Sequence, residues 1–426
     1  MLAGIIKIFK PNPMIEFRRH ILDNGLKIIV HEDKSTPLAA VSLLYLVGSR
    51  DENPQLTGLA HLFEHLMFRG SENIPDFDDQ LQAAGGENNA FTNSDITNFY
   101  LTIPAVNLET AFWLEADRMK KLNLTEDSLE NQKMVVLEEY RQSYINQPYG
   151  DATLLLRPLA FKVHLYRWHT IGEELHIKKV TLKDAKDFFY SHYGPDNCIM
   201  VVAGNVKTDE ILRKAEKWFG KIRMRNIQSK QLPPEPPQQE ERKLTVTKNV
   251  PADAIFKAWH ICGRNETDFR NLDLLTDILA GGESGRLYTT LVRDKKMFSY
   301  INAYLTGDMD PGLLIIQGRL MNGVNYDVAE REIDNILKEI QEKMIEDNEM
   351  QKVKNKFETD FVTGMVNILN KAVNLSQYEM MGDAGFINRE IENYLGVTAE
   401  MIIKSALKYL KNNNCSTLYY KSLNSN

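Results

Sequence analysis

The sequence predicts an α+β protein built from two homologous layered domains. Each is a mixed, largely antiparallel sheet with helices, arisen by internal duplication and joined by a proline-rich linker. Three observations lead there. The chain has 426 residues, more than one hydrophobic core usually supports, so two units are expected. Residues 228–243 (QSKQLPPEPPQQEERK) hold four prolines and no aromatic residue, the composition of an extended spacer. That places one domain at 1–227, the linker at 228–244 and a second domain at 245–426. Finally, the halves read as degenerate copies. Gly48 and Gly263 end similar apolar runs 215 positions apart. Thr181 and Thr398 each precede, by 17 positions, a cysteine that opens a strand pattern (Cys198, Cys415).

The elements follow in order. AAVSLLYLVGSRDE (39–52) reads as a buried strand closed by a glycine turn, and ADAIFKAWHICGRNE (252–266) repeats it. Residues 55–68 have helical spacing, with Thr57 as the expected N-cap. TNSDITNFYLTI (92–103) alternates and is rich in threonine and aromatics, which predicts a strand. Helical spacing covers 108–121 and 128–144, and ILRKAEKWF (211–219) is an amphipathic helix before the linker. Strands, hairpin-like links and helices in this mixture suggest a layered α+β sandwich in each half.

Composition excludes several classes. Hydrophobic residues at 43% and charged residues at 26% are those of an ordinary globular chain, not a disordered or fibrous one. A net charge of −7 without a basic run argues against nucleic acid or an anionic membrane as partner. Three scattered cysteines neither form a disulfide framework nor pair at zinc-ligand spacing. They are expected as small buried residues. The stretch MLAGIIKIFKPNP, broken by Lys7 and Lys10, lacks the apolar core of a secretory signal. No window approaches a membrane span, and a cytoplasmic location is the expectation.

Chemistry concentrates in His61-Leu62-Phe63-Glu64-His65. On a helix, residues three and four apart share a face, so both imidazoles reach one point and Glu64 stands beside them. Two histidines at this spacing suit zinc, with the glutamate as base toward a water held there. Leu59, Leu62, Phe63, Leu66 and Met67 mark the helix as largely buried, where polar groups need partners. A catalytic zinc takes a third protein ligand. VVLEEYRQ offers Glu138 and Glu139, and periodicity does not separate them.

Four segments together resemble the pitrilysin-type (inverzincin) zinc metallopeptidases. They are GLAHLFEHLMFRG (58–70), GGENNAFTNSDITNFY (85–100), VVLEEYRQ (135–142) and GRLYTTLVRDKKMFSY (285–300). The length is similar to that of the half-size members, such as the mitochondrial processing peptidase. The resemblance implies one zinc per chain, held by His61, His65 and Glu139, with Glu64 as general base. Family members support the third ligand with a glutamate seven positions earlier, where this chain has Gln132, so weaker metal affinity or an altered pH dependence is expected. Asn89-Ala90-Phe91-Thr92 resembles the edge strand that pairs with substrate backbone. Arg293 and Tyr300 resemble the groups that grip peptide carbonyls, Tyr300 steadying the oxyanion. The second half carries Thr276, Leu279 and Ala280 where the first carries its ligands and base, so no second metal site is expected, and the Gly281-Gly282 turn reads as a tight connection. The implied activity is hydrolysis of unfolded peptides in a closed chamber by a homodimer with composite sites. A non-catalytic scaffold, or a subunit needing a different partner, is the alternative.

Overall fold

The structure, a computed structural model, describes residues 14–228 and 231–423. The segment on which the signal-peptide expectation rests (1–13) lies outside them. In the first half the strands are β1 (Arg18–Ile21), β2 (Lys27–Glu32), β3 (Leu38–Tyr45), β4 (Glu87–Thr92), β5 (Thr97–Pro104) and β6 (Cys198–Gly204). Its helices are α1 (Leu59–Leu66), α2 (Phe77–Ala83), α3 (Leu108–Lys120), α4 (Glu126–Tyr140), α5 (Ala152–Ala160), α6 (Glu174–Lys179), α7 (Leu182–His192) and α8 (Thr208–Phe219). The second half contributes β7 (Arg242–Lys248), β8 (Ala254–His260), β9 (Phe298–Leu305), β10 (Leu313–Leu320) and β11 (Cys415–Ser422). With them come α9 (Thr267–Ala280), α10 (Tyr326–Glu342), α11 (Asp347–Gly364), α12 (Ile368–Met380), α13 (Glu390–Leu395) and α14 (Ala399–Tyr409).

The second sheet repeats the topology of the first without a counterpart of β1. The first runs β1-β2-β6-β3-β5-β4 and the second β7-β11-β8-β10-β9. In each, a single parallel pair (β2 with β6, β7 with β11) sits among antiparallel ones. The strands opened by Cys198 and Cys415 thus hold the same place in both sheets. Gly48 and Gly263 do too. A Cβ on Gly48 would lie 2.4 Å from the Ser94 carbonyl, and one on Gly263 would lie 2.3 Å from the Met309 carbonyl oxygen. Each turn is tied alike, the glycine amide donating to the carboxylate three residues on (Asp51 at 2.9 Å, Glu266 at 3.0 Å).

Each sheet buries one face under its own helices and the other under a helix from the opposite half. Ile368, Ala372, Leu375 and Tyr378 of α12 pack on Ile29, Ala40, Leu44, Ile199 and Val201 of the first sheet. Ala152, Leu156 and Ala160 of α5 pack on Ala254, Phe256, Ala258 and Leu418 of the second. Coverage on both sides explains why β6 (CIMVVAG) is apolar and buried throughout. Residues 235–238 of the proline-rich segment are pinned rather than loose. Glu235 accepts the amides of Lys162, Val163 and His164, and buried Gln238 donates to the Cys415 carbonyl.

Some local expectations change. Residues 92–103 are not one strand: Asn93 Oδ1 accepts the amides of Asp95 and Ile96, an Asx turn that splits the run into the β4–β5 hairpin. The helix expected to reach residue 144 gives way to a π-helical stretch at Arg141–Ile145. All three cysteines are free and buried. Among the described residues, no helix is long and apolar enough to cross a membrane.

Candidate metal centre

Helix α1 starts late and is held from outside. Thr57 is not its cap: the Thr57 hydroxyl lies 2.9 Å from His176 Nδ1 and accepts the Glu173 amide. Gly58, in the left-handed region at φ 94, occupies the N-cap and offers no side chain. Glu52 supplies the missing acceptor. Its carboxylate takes the amides of Gly58 (2.9 Å) and Ala60 (2.8 Å) and the Trp168 indole N–H (3.1 Å). A carboxylate there satisfies otherwise orphaned donors and complements the helix dipole. Complete burial nevertheless pushes its carboxyl up to about 8.

The apolar face of α1 (Leu59, Leu62, Phe63, Leu66) is buried in the first core, and the opposite face meets α4. There His61 Nε2 and His65 Nε2 lie 3.6 and 3.3 Å from Glu139 Oε2, with the two imidazole planes at 88°. The three ligand atoms fall within 4.8 Å of one another, the one such group among the described residues. At 3.6 Å the His61 contact is too long for a hydrogen bond. His65, at 3.3 Å, is the closer of the two to the shared carboxylate oxygen. Burial, outweighing the nearby Glu139, pushes His61 down to about 4, so its ring is neutral at neutral pH, as ligation requires. Glu139 is held below the ordinary range by the hydrogen bond from His65, against desolvation. Two imidazoles, one carboxylate and an open side form a zinc donor set.

Of the two glutamates that periodicity left open, Glu139 faces the histidines while exposed Glu138 bonds Arg141 and Gln142. Gln132, two turns earlier on α4, is buried, and its Oε1 has no hydrogen-bond partner; neither has the buried Nδ1 of His61. Glu64 points beside the cluster. Thr92 Oγ1, at the end of β4, donates to its Oε2 at 2.5 Å, and burial raises its carboxyl above the usual range. Strand β4 is the outer strand of its sheet. Its Asn89 is exposed, Ala90 is buried opposite Phe99, and Phe91 meets the Tyr100 ring.

Arg293 and Tyr300 belong to the second half. Arg293, near the end of a π-helical segment (Tyr288–Asp294), is exposed, with its guanidinium on the adjacent Asp294. Tyr300 on β9 is 42% exposed and meets the Arg319 guanidinium. In the second half Thr276, Leu279 and Ala280 lie on α9, where Leu279 is fully buried. Sequence reasoning missed Glu52, Trp168 and a half-buried pair near the histidines, His169 and Tyr144, 3.3 Å apart. Burial, Arg157 and His61 push His169 down to about 3. Only the acidic run Asp51-Glu52 just before the motif hinted at any of these.

Comparison with known proteins gives this arrangement a lineage. The family description "Insulinase (Peptidase family M16)" matches residues 27–155, and "Peptidase M16 inactive domain" matches residues 179–357. The chain belongs to peptidase family M16. One M16 relative, "Zinc protease PqqE" of Helicobacter pylori, is 28% identical over 412 residues, covering 94% of this chain and 91% of its own length. "Uncharacterized zinc protease YmxG" of Bacillus subtilis is 25% identical over 303 residues, 71% of this chain and 73% of that one. The crystal structure of a protease from Helicobacter pylori superposes with a TM-score of 0.91 at 27% identity, covering 96% of this chain and all (100%) of that one. Pitrilysin shares the fold at a TM-score of 0.76 and 19% identity, this chain matching 45% of it.

Proposed function

We propose that this M16 protein is a zinc-dependent endopeptidase acting on unfolded peptides. The observation that carries the reading is the convergence of His61, His65 and Glu139 beside Glu64. Zinc held there supplies Lewis acidity toward a water and toward the scissile carbonyl. Glu64 is the general base: it takes the water's proton and returns it to the departing amine. Its desolvated carboxyl is suited to holding a proton for that interval, and the Thr92 hydroxyl fixes its orientation. The free edge of β4 offers main-chain donors and acceptors to an extended peptide, a mode that tolerates many sequences.

Arg293 and Tyr300 would grip the peptide carbonyls, Tyr300 steadying the developing oxyanion. Their exposure on the second half supports a homodimer in which one protomer's Arg293 and Tyr300 face its partner's metal, enclosing a chamber. The test is cleavage of unstructured peptides followed by mass spectrometry, with and without chelator, beside the Glu64→Gln variant. Cleavage that needs zinc and vanishes in a zinc-loaded Glu64→Gln protein supports the reading. No cleavage by the zinc-loaded wild type sinks it. Mixing inactive Glu64→Gln with inactive Tyr300→Phe then tests the composite site: activity returns only if the two residues act across protomers.

A further inference from the structure

Beside Tyr300 the structure holds an arginine that none of the foregoing chemistry uses. Arg319 on β10 lies directly opposite Tyr300 in the β9–β10 register, and Gln317 opposite Asn302. Alternation along a strand therefore puts Arg319, Gln317 and Tyr300 on one face. The Arg319 guanidinium sits between two aromatic rings, 5.1 Å from Tyr149 and 5.6 Å from Tyr300. Stacking of this kind orients the planar fork and leaves its N–H edges free. Among the described residues no carboxylate lies within ion-pair distance of it and no hydrogen bond engages it.

The second ring is set deliberately. Tyr149 has φ 64, a left-handed conformation that is strained for a bulky residue. It is held by its hydroxyl, which donates to the Ala252 carbonyl at 2.6 Å and accepts the Ala252 amide at 3.1 Å. Between the rings opens a cavity of about 160 Å³, lined by Tyr149, Thr153, Phe256, Tyr300, Gln317 and Arg319 among others, with no acidic side chain. A cation fixed between two aromatic faces, with unspent donors from Arg319, Gln317 and Tyr300 around an acid-free hollow, is complementary to a carboxylate.

We propose that this hollow is a subsite for a carboxylate of the peptide substrate, bound by the Arg319 fork next to Tyr300. The inference rests on the peptidase reading and on Tyr300 facing the substrate. Two sources share the chemistry: the C-terminal carboxylate of a short peptide, or an internal Asp or Glu side chain.

Two peptide series separate them, one comparing free-acid with amidated C-termini and the other internal Glu with Gln. Wild type should favour the carboxylate member of one series by about tenfold in kcat/KM, mostly through KM, as fits one charge-assisted pair partly open to water. Arg319→Gln should bring that ratio close to one, and Arg319→Lys should retain part of it. No preference in either series, or a preference that survives Arg319→Gln, overturns the subsite while leaving the peptidase reading intact. If wild type cleaves nothing, the peptidase reading fails first. Fluorescence anisotropy of the same labelled peptides on the Glu64→Gln protein then reads the carboxylate preference without turnover, and equal binding of acid and amide overturns it.

Discussion

Helices α1 and α9 occupy the same station in the two halves, each following a glycine turn tied to a carboxylate three residues on, yet they serve different ends. Helix α9 begins at Thr267, four residues after its glycine, and buries Leu272, Leu275, Ile278 and Leu279. Helix α1 begins at Leu59, eleven residues after its glycine. Irregular chain replaces its first two turns, and Glu52 folds back to hold the late start. Helix α1 carries His61, Glu64 and His65 where α9 carries Thr276, Leu279 and Ala280. The scaffold is thus indifferent to chemistry. Three side chains, a shifted helix start and one glutamate from α4 distinguish the helix that carries a candidate metal site from the one that only packs.

Giving the first half the second half's residues is the sharpest way to break the comparison. His61→Thr with His65→Ala should abolish stoichiometric zinc and lower activity by more than the roughly 10²–10⁴-fold expected for loss of the base alone. Metal analysis and peptide cleavage check this, and circular dichroism should show the fold intact, as it is in α9. Next in size is the helix start. Glu52→Ala leaves the Gly58 and Ala60 amides without their acceptor, while the Trp168 indole N–H keeps the Ser49 carbonyl, and should cost about 2–4 kcal/mol in denaturant unfolding. Glu266→Ala removes one turn contact in the second half and should cost less than about 1 kcal/mol. Equal costs would mean the late start needs no special support.

A smaller effect concerns the buried atoms left without partners. Gln132 Oε1 is one of them; Gln132→Glu adds a negative charge two turns before Glu139 on α4, and zinc affinity should rise by about tenfold in a chelator competition. The smallest concerns the ties between halves. Lys371 of α12 pairs with Asp33 at 2.5 Å, and together with Ser35 it holds that carboxyl well below the usual range. A depressed folded pKa gives stability that is present above the unfolded value of about 4 and lost as pH falls through the lower folded one. Lys371→Met should therefore lower the melting temperature slightly at pH 6–7, and the difference should shrink steadily toward pH 2.

The metal cluster was legible early because helical periodicity is a local property: one turn fixes His61 relative to His65 before any tertiary contact forms. Duplication was legible for a related reason, since Gly48 and Gly263 each lie against a carbonyl that excludes any side chain, and that requirement survives divergence. The hairpin was missed because Asn93 turns the chain with its own side chain, inside a run whose alternation continues on both sides. Periodicity could not choose between Glu138 and Glu139 either, because both lie near the end of α4, where only the docking of α4 on α1 decides which faces the histidines.

The sequence by itself therefore determined the fold class, the duplication and the two-histidine, one-glutamate turn, all set by short-range periodicity or spacing. Only the tertiary structure decided the rest. It exchanged α5 and α12 between the halves, brought Glu52 beneath α1, set Thr92 against Glu64 and stacked Arg319 between Tyr149 and Tyr300. These contacts join residues far apart in sequence. Burial and the shape of the packed layers select their partners, and no local pattern along the chain records that choice.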